Sequence, residues 1–340
     1  MAIHFSEDLV KNYEEATQNY ATFGDKLLQH LDVLKDIQEK GIWRPVMFQL
    51  SPTGACEFNC EMCSVKYRDK TKSLPFEWIE KAMRDFKDLG AKAIEITGGG
   101  NPLLYPKINE VIDLAHKLGF DIGLISNSPV PSRFLKEESA KKLTWYRASL
   151  SGFDNFDEIE YDFDVIPKGI LGFSYILTKL TTKEKLIKIA EEVKKRPDVK
   201  FVRIAPDCLD RPLIKTFKKK WGGIIDKINE SGKFFLKEMS DKFLAYPDFC
   251  GIGLIRPYCT EDGNIYVCNS YLLRKRKYED EWIIGHITDV KGMYKRANKM
   301  FKETRKPYKV NIAGCYHCLF SNNNKILHTI IKDIKDKNFA

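Results

Sequence analysis

Cys56-Glu57-Phe58-Asn59-Cys60-Glu61-Met62-Cys63 is the stretch on which the reading of this chain turns. Its three cysteines are separated by three residues and then two, on a segment that follows the apolar run Val46-Met47-Phe48-Gln49-Leu50. Three thiolates on one short loop can hold three irons of a cubane cluster and leave the fourth iron without a protein ligand, open to chemistry. Two other readings compete. Structural zinc takes four closed ligands, and no fourth Cys or His lies nearby, His30 and His116 being remote in sequence. Disulfides need an oxidising compartment, and Met1-Ala2-Ile3-His4-Phe5-Ser6 has no basic segment leading into an apolar one. The nine cysteines, an odd number, therefore read as metal ligands in a reducing cytoplasm. The longest apolar runs are too short to span a membrane, so no membrane partner is expected.

A second signal is independent of the first. Ala93-Ile94-Glu95-Ile96-Thr97 reads as a buried strand and runs into Gly98-Gly99-Gly100-Asn101-Pro102. Glycines let the backbone approach a ligand closely, and Pro102 fixes the chain as it turns away. Together, the cysteine loop and the glycine loop resemble the radical S-adenosylmethionine (SAM) superfamily, over a region from about Trp43 to the C-terminal cysteines. The resemblance implies a 4Fe–4S cluster on Cys56, Cys60 and Cys63, with SAM as cofactor. It also implies that Gly98, Gly99, Gly100 and Asn101 meet the amino group of SAM, Asn101 standing where the family usually has Glu. Ser126 and Asn127, and Ser149 in Arg147-Ala148-Ser149-Leu150-Ser151-Gly152, fall where the family lines the SAM pocket. Ser151 replaces a frequent Asp. Met62 falls where the family places an apolar residue near adenine.

The chain between and beyond these motifs alternates apolar strands with amphipathic helices. Phe76–Leu89 and Ile108–Leu118 have helical periodicity, the second closed by Gly119, and Lys183–Lys195 is a third helix. Strands are expected at Met47–Leu50, Ile94–Thr97, Asp121–Ser126, Trp145–Leu150, Leu171–Leu177 and Val199–Ile204. Strands spaced by helices argue for parallel βαβ units. Six of them match the partial (β/α)6 barrel of the family, an α/β fold. Reactive groups in parallel barrels gather at the carboxyl ends of strands, which nominates Thr97, Ser126, Asn127, Ser149, Ser151, Tyr175, Arg203 and Asp207. Tyr175, Arg203 and Asp207 are the candidates for catalytic proton transfer.

Cys250, Cys268, Cys315 and Cys318 form a second group. The Cys250-x12-Gly263-x4-Cys268 element, followed by Cys315-Tyr316-His317-Cys318, resembles the shorter, twitch-like form of the SPASM auxiliary-cluster domains. Glu261-Asp262-Gly263-Asn264 reads as a hairpin turn that would present Cys250 and Cys268 on adjacent strands. The resemblance implies a second 4Fe–4S cluster closed by four thiolates, an architecture similar to that of 2-deoxy-scyllo-inosamine dehydrogenase. Structural zinc is the competing reading. Cys259 is either an alternative ligand or a buried bystander, and Cys208 reads as core or pocket wall.

Residues 1–42 read as a helical extension with Leu27, Leu28, Leu31, Leu34 and Ile37 at helical spacing. The barrel spans 43–242, the twitch-like unit 243–325 and a helical tail 326–340. The net charge of +9 is uneven: residues 181–242 carry 17 Lys and Arg against 10 Asp and Glu, and residues 272–309 carry 12 against 5. Such a surface suits a small anionic substrate, a nucleic acid, or an acidic electron donor of the flavodoxin or ferredoxin type. Lys218-Lys219-Lys220-Trp221 and Arg274-Lys275-Arg276-Lys277-Tyr278 pair charge with an aromatic, as nucleic-acid contacts do. The acidic run Asp154–Asp164 reads as a solvated loop. The reaction the resemblance implies is hydrogen abstraction by a 5′-deoxyadenosyl radical, completed as a two-electron oxidation. The alternatives are radical modification of a nucleotide, nucleic acid or peptide, and a non-enzymatic, zinc-stabilised binding protein.

Overall fold

Apolar strands and the amphipathic helices that cover them build a ten-stranded sheet in the computed structural model, which describes residues 24–156, 158–208, 210–237, 250–269, 282–310 and 320–332. Seven strands run parallel and in chain order: β1 (Met47–Leu50), β2 (Ala93–Ile96), β3 (Asp121–Ser126), β4 (Trp145–Ser149), β5 (Leu171–Leu177), β6 (Val202–Pro206) and β7 (Phe234–Leu236). Helix α1 (Phe76–Asp88) follows β1, α2 (Ile108–Lys117) follows β2, α3 (Lys183–Lys194) follows β5 and α4 (Arg211–Ile228) follows β6. Each buries an apolar stripe on the same side of the sheet. Phe86 of α1, for instance, stacks on Phe48 of β1 with ring centroids 4.2 Å apart. Because side chains alternate along a strand, Gln49, Glu95, Arg147 and Arg203 face the opposite, inner side.

Three further strands extend the sheet beyond β1. β8 (Tyr258–Cys259) pairs parallel with β1, β9 (Asn264–Tyr266) returns antiparallel to β8, and β10 (Ile283–His286) pairs antiparallel with β9. The sheet therefore runs from β10 to β7 without closing on itself. Helix α5 (Val290–Thr304) packs against this annex, and α6 (Ser321–Ile331) follows. Asn298 of α5 clamps the entry to the sheet, accepting from Trp43 N at 2.8 Å and donating to Trp43 O at 3.2 Å.

Several expectations need correction. Parallel pairing takes in a seventh strand, β7, which its three-residue length hid. Pairing in β6 starts at Val202 rather than Val199, because Val199 N is used to close a turn onto Arg196 O at 3.1 Å. The leucine-spaced segment is not one helix: a 3-10 turn over Gly24–Gln29, a short helix Leu31–Lys35 and a π turn Asp36–Lys40 follow one another. Leu27, Leu34 and Ile37 are buried, but Leu28 is 44% and Leu31 67% exposed. The turn at Gly263 (φ +89°) does make a hairpin, yet it is Cys259 that lies on its first strand. Cys250 precedes the helical turn Ile252–Ile255, whose buried apolar residues keep the chain from being extended there. The N-terminal residues 1–23 and the pair Cys315 and Cys318 lie outside the described residues.

Candidate functional site

The glycine loop after β2 is zipped onto the segment that leads into the cysteines. Thr97 N donates to Leu50 O (2.9 Å), Gly100 N to Thr53 O (2.8 Å) and Asn101 N to Ala55 O (2.7 Å). Gly99 N donates to Ser51 Oγ at 2.6 Å, and Tyr258 Oη of β8 to Gly98 O at 3.0 Å. A Cβ at Gly100 would run into the Ala55 carbonyl, so glycine is required for this approach. Glycine is needed here because backbone lies against backbone next to Cys56.

Each of the three cysteines is half-buried and meets one N–H donor at its sulfur. Asn127 Nδ2, just past β3, lies 3.7 Å from Cys56 Sγ. Asn155 Nδ2, at the end of the short helix Gly152–Asn155, donates to Cys60 Sγ at 3.2 Å and to Ser151 O at 2.7 Å. Arg68 Nη1 lies 3.5 Å from Cys63 Sγ, while its Nε is anchored on Gly54 O at 2.8 Å. Burial pushes the Cys56 and Cys60 thiols up. Among the described residues no three His, Cys, Asp or Glu side chains converge on a single ion. A cubane asks for something different, one thiolate per iron along a rim.

The SAM-pocket candidates divide into two groups. Asn101 and Ser126 are buried and occupied with each other: Ser126 Oγ donates to Asn101 Oδ1 at 2.8 Å, and Asn101 Nδ2 holds the Glu57 carboxylate at 3.1 Å. They shape the loop from within. Met62, Asn155 and Cys60 instead line an open cleft of about 640 Å³, shared with Lys66, Asp154 and Asp207. Ser149 Oγ lies 3.2 Å from Ser151 Oγ at the end of β4. Thr97 is buried beside the glycine loop.

The catalytic candidates separate as well. Arg203 faces the inner side of the sheet and Asp207 the cleft. Tyr175 is turned to the helix side, because it alternates with the inward Ser174 and pairs with Ile204. Its hydroxyl donates to Asp154 Oδ1 at 2.9 Å, and burial raises its pKa. Asp154 also holds Lys185 Nζ at 2.7 Å with its side chain almost covered, so the start of the acidic run is an internal ion pair rather than solvated loop. Trp221, read as a base-stacking aromatic, is buried in the core with Lys220 over its ring.

In the annex, the hydroxyl of the buried Tyr308 donates to Cys250 O, and Cys250 and Cys268 both bear electrostatically on that hydroxyl. Asn324 Nδ2 of α6 donates to Cys250 Sγ at 3.2 Å. Cys259 is fully buried within the sheet, and burial raises its thiol strongly. Burial with Asp207 beside it pushes Cys208 up to about 11.

Sequence reasoning did not find Arg68, Asn155, Ser51 or Glu261. Asn155 and Glu261 reach the site from other elements, whereas Ser51 and Arg68 stand on the same β1–α1 connection as the cysteines, where no spacing rule marks them. Glu261, in the β8–β9 turn, accepts from Ser51 Oγ at 3.1 Å and so touches the glycine loop from the annex.

Residues 50–177 match the family model described as the Radical SAM superfamily. An S-adenosylmethionine-dependent nucleotide dehydratase of Thermoplasmatales archaeon (strain ISO4-H5) is 26% identical over 107 residues, 32% of this chain and 38% of that one. A GTP 3',8-cyclase of Actinobacillus pleuropneumoniae serotype 5b (strain L20) is 24% identical over 244 residues, 63% of this chain and 70% of that one. A tungsten-containing aldehyde ferredoxin oxidoreductase cofactor-modifying protein of Pyrococcus furiosus is 28% identical over 152 residues, 42% of this chain and 39% of that one. The matched region thus spans about two fifths of the dehydratase and of the cofactor-modifying protein. Among solved structures, Streptococcus suis SuiB bound to its precursor peptide SuiA superposes with a TM-score of 0.53 at 14% identity, covering 92% of this chain and 82% of that one. That likeness shows a shared fold. The cysteine loop and the glycine loop both fall inside the matched region, so residues 50–177 carry a match to the radical SAM domain.

Proposed function

We propose that this protein is a radical SAM oxidoreductase acting on a small molecule. The observation that carries the reading is the set of three half-buried thiols on one loop, each facing an N–H donor. Cys56, Cys60 and Cys63 would hold a 4Fe–4S cluster, and the donor set fits it: soft sulfur ligands with amide and guanidinium hydrogen bonds around them. When bound, the cluster and SAM supply a 5′-deoxyadenosyl radical that takes a hydrogen atom from the substrate. The chain's own residues do the rest. Arg68, Asn127 and Asn155 orient the thiolates, and the glycine loop, zipped onto the cysteine segment, lets the backbone lie close to the SAM side. Met62 offers an apolar wall. The cleft lined by Asp154, Thr178 and Asp207 admits the substrate, and the curved sheet shields the reacting centre from water. Asp207 stands at its mouth, placed to take a proton from an oxidised substrate.

A second 4Fe–4S cluster on Cys250, Cys268, Cys315 and Cys318 would accept an electron from the substrate and make the change a two-electron oxidation. What supports this assignment is that Cys250 and Cys268 are both buried around Tyr308. An acidic flavodoxin- or ferredoxin-type donor on the basic surface, in a reducing cytoplasm, completes the reading. Among the described residues no helix is long and apolar enough to cross a membrane.

The test is anaerobic reconstitution with iron and sulfide counted in the wild type and in a Cys56/Cys60/Cys63→Ala variant. Two clusters require about eight irons, falling to about four in the variant with SAM cleavage lost. Zinc in place of iron, or SAM cleavage that survives the triple change, would overturn the reading.

A further inference from the structure

Among the described residues, the inner face of the sheet carries two arginines, Arg147 and Arg203, that no carboxylate pairs. At the amino-terminal ends of the strands the ring of Trp145 covers Gly123 and that of Phe201 covers Gly172; a Cβ on either glycine would strike the ring. The two rings make an apolar floor. Two residues further along the same face of β4 and β6 stand Arg147 and Arg203. Their register partners on the intervening strand β5 are Gly172 and Ser174, so no long side chain separates the two guanidinium groups. Lys237, just past β7, joins them: its N donates to Ile204 O at 2.7 Å.

The carboxylate on this layer is Glu95, and it is already engaged. Arg256 Nη2 donates to both of its oxygens at 2.9 and 2.8 Å, and Gln49 Nε2 donates to Oε1 at 2.5 Å. Neither Arg147 nor Arg203 has a salt-bridge partner among the described residues, and the Nε of each is buried with no hydrogen-bond partner. Both residues nevertheless stay partly accessible rather than fully buried. Burial, with Arg147 pressing on it, brings Arg203 down to about 9; burial and the two arginines bring Lys237 down to about 8. Arg147 and Arg203, held this way with no salt-bridge partner among the described residues, are costly. A ligand that supplies the charge removes that cost.

We infer that Arg147 and Arg203, with Lys237 beside them, are the recognition end of the substrate site, and that the substrate is a small molecule bearing a phosphate or diphosphate group. The inference rests on the radical SAM reading for what happens at the other end of the same substrate. Two planar guanidinium forks match phosphate oxygens in pairs, and the carboxylate of this layer among the described residues is already held by Arg256. The carboxylate of SAM belongs to the level of the cysteines; Arg147 lies two residues, about 7 Å, deeper than Ser149.

The test uses the reconstituted, SAM-loaded full chain and titrates it with inorganic pyrophosphate and, separately, with citrate. Wild type, Arg147→Gln, Arg203→Gln, the charge-keeping Arg203→Lys and the surface control Lys215→Gln are compared. Wild type and the control are expected to bind one pyrophosphate per chain. Either Gln variant should bind it at least tenfold more weakly and Arg203→Lys by an intermediate amount, with iron content and SAM affinity unchanged. Unliganded Arg203→Gln should melt no lower than wild type, since it removes an uncompensated charge, and should lose the melting-temperature rise that pyrophosphate gives wild type. Four results would overturn the assignment: equal pyrophosphate binding by the Arg→Gln variants, equal weakening in the control, citrate bound in preference to pyrophosphate, or competition between pyrophosphate and SAM. Loss of iron or SAM binding in wild type itself would sink the radical SAM reading, whatever the arginines do.

Discussion

Ser51 Oγ donates to Glu261 Oε2 at 3.1 Å and accepts from Gly99 N at 2.6 Å, so one hydroxyl ties a turn of the C-terminal annex to the loop that follows β2. The link spans 210 positions of sequence and both side chains are buried. The glycine loop is therefore supported from two directions, by the cysteine segment and by the annex. Ser51→Ala would leave a buried carboxylate and a buried amide without this partner. The expected loss is about 1–3 kcal/mol of stability, read by denaturant unfolding, with SAM bound several-fold more weakly by titration. A variant with wild-type stability and SAM affinity would show that the link is incidental.

Glu95 and Arg256 form a buried pair on the inner face of the sheet, with side chains 4% and 8% exposed. Removing one partner leaves the other charged and unpaired. Glu95→Gln should therefore cost about 3–5 kcal/mol, and Glu95→Gln with Arg256→Met should recover much of it. Equilibrium unfolding of the three variants measures this. Simple additivity of the two single changes would contradict the pairing.

Asn155 meets the sulfur of Cys60. A reduced cluster carries one more negative charge, which an N–H donor stabilises, so Asn155→Ala should lower the midpoint potential. One hydrogen bond of about 1 kcal/mol corresponds to roughly 40 mV for a one-electron couple, and the differential effect is on the order of 20–40 mV. Spectroelectrochemical titration followed by electron paramagnetic resonance reads it. An unchanged potential would mean that Asn155 serves the short helix through Ser151 O alone.

Lys237 supplies a pH signature. The unfolded chain holds its proton up to the ordinary 10.5, whereas burial brings the folded value to about 8. Between those values the unfolded state binds more protons, so folding stability gains as pH rises from 8 toward 10.5. Relative to Lys237→Met, wild type should gain about 1 kcal/mol or less per pH unit across that window, solvent screening included. Parallel stability curves for the two proteins would refute the assignment.

Gly100 and Gly169 make a paired test of backbone demands. A methyl group at Gly100 strikes the Ala55 carbonyl next to Cys56, while Gly169 has open space and only a positive φ of 80°. Gly169→Ala should cost about 1 kcal/mol and leave iron content intact. Gly100→Ala should displace the cysteine loop, costing about 1–3 kcal/mol and lowering the iron retained after reconstitution. Equal iron retention in the two variants would mean that the loop yields freely.

Much of the site was legible because its parts are local. Cys56, Cys60 and Cys63 sit on one loop, Gly98 to Asn101 on another, and strands β1, β3 and β5 show their lengths in apolar runs bounded by polar ones. Boundaries failed where local chemistry was ambiguous. Val199 looks like strand but spends its amide on a turn, and β7 is too short to carry a period. Tyr175 was misjudged because a strand end nominates residues without saying which face each takes; one register step separates it from Ser174. Asp154 looked solvated beside other acids, although its partner Lys185 stands on α3, 31 positions away.

The sequence by itself determined the cysteine and glycine loops, the parallel αβ alternation and the charge of the chain, since each depends on spacing within a few residues or on composition. Only the tertiary structure decided which side chains meet across elements. It set Asn127 on the sulfur of Cys56 and Asn155 on that of Cys60, Glu261 on the glycine loop, and Arg147 with Arg203 on one inner layer while Glu95 was taken by Arg256. Those pairings join positions up to 210 apart. They follow from strand register and sheet curvature, which no local pattern encodes.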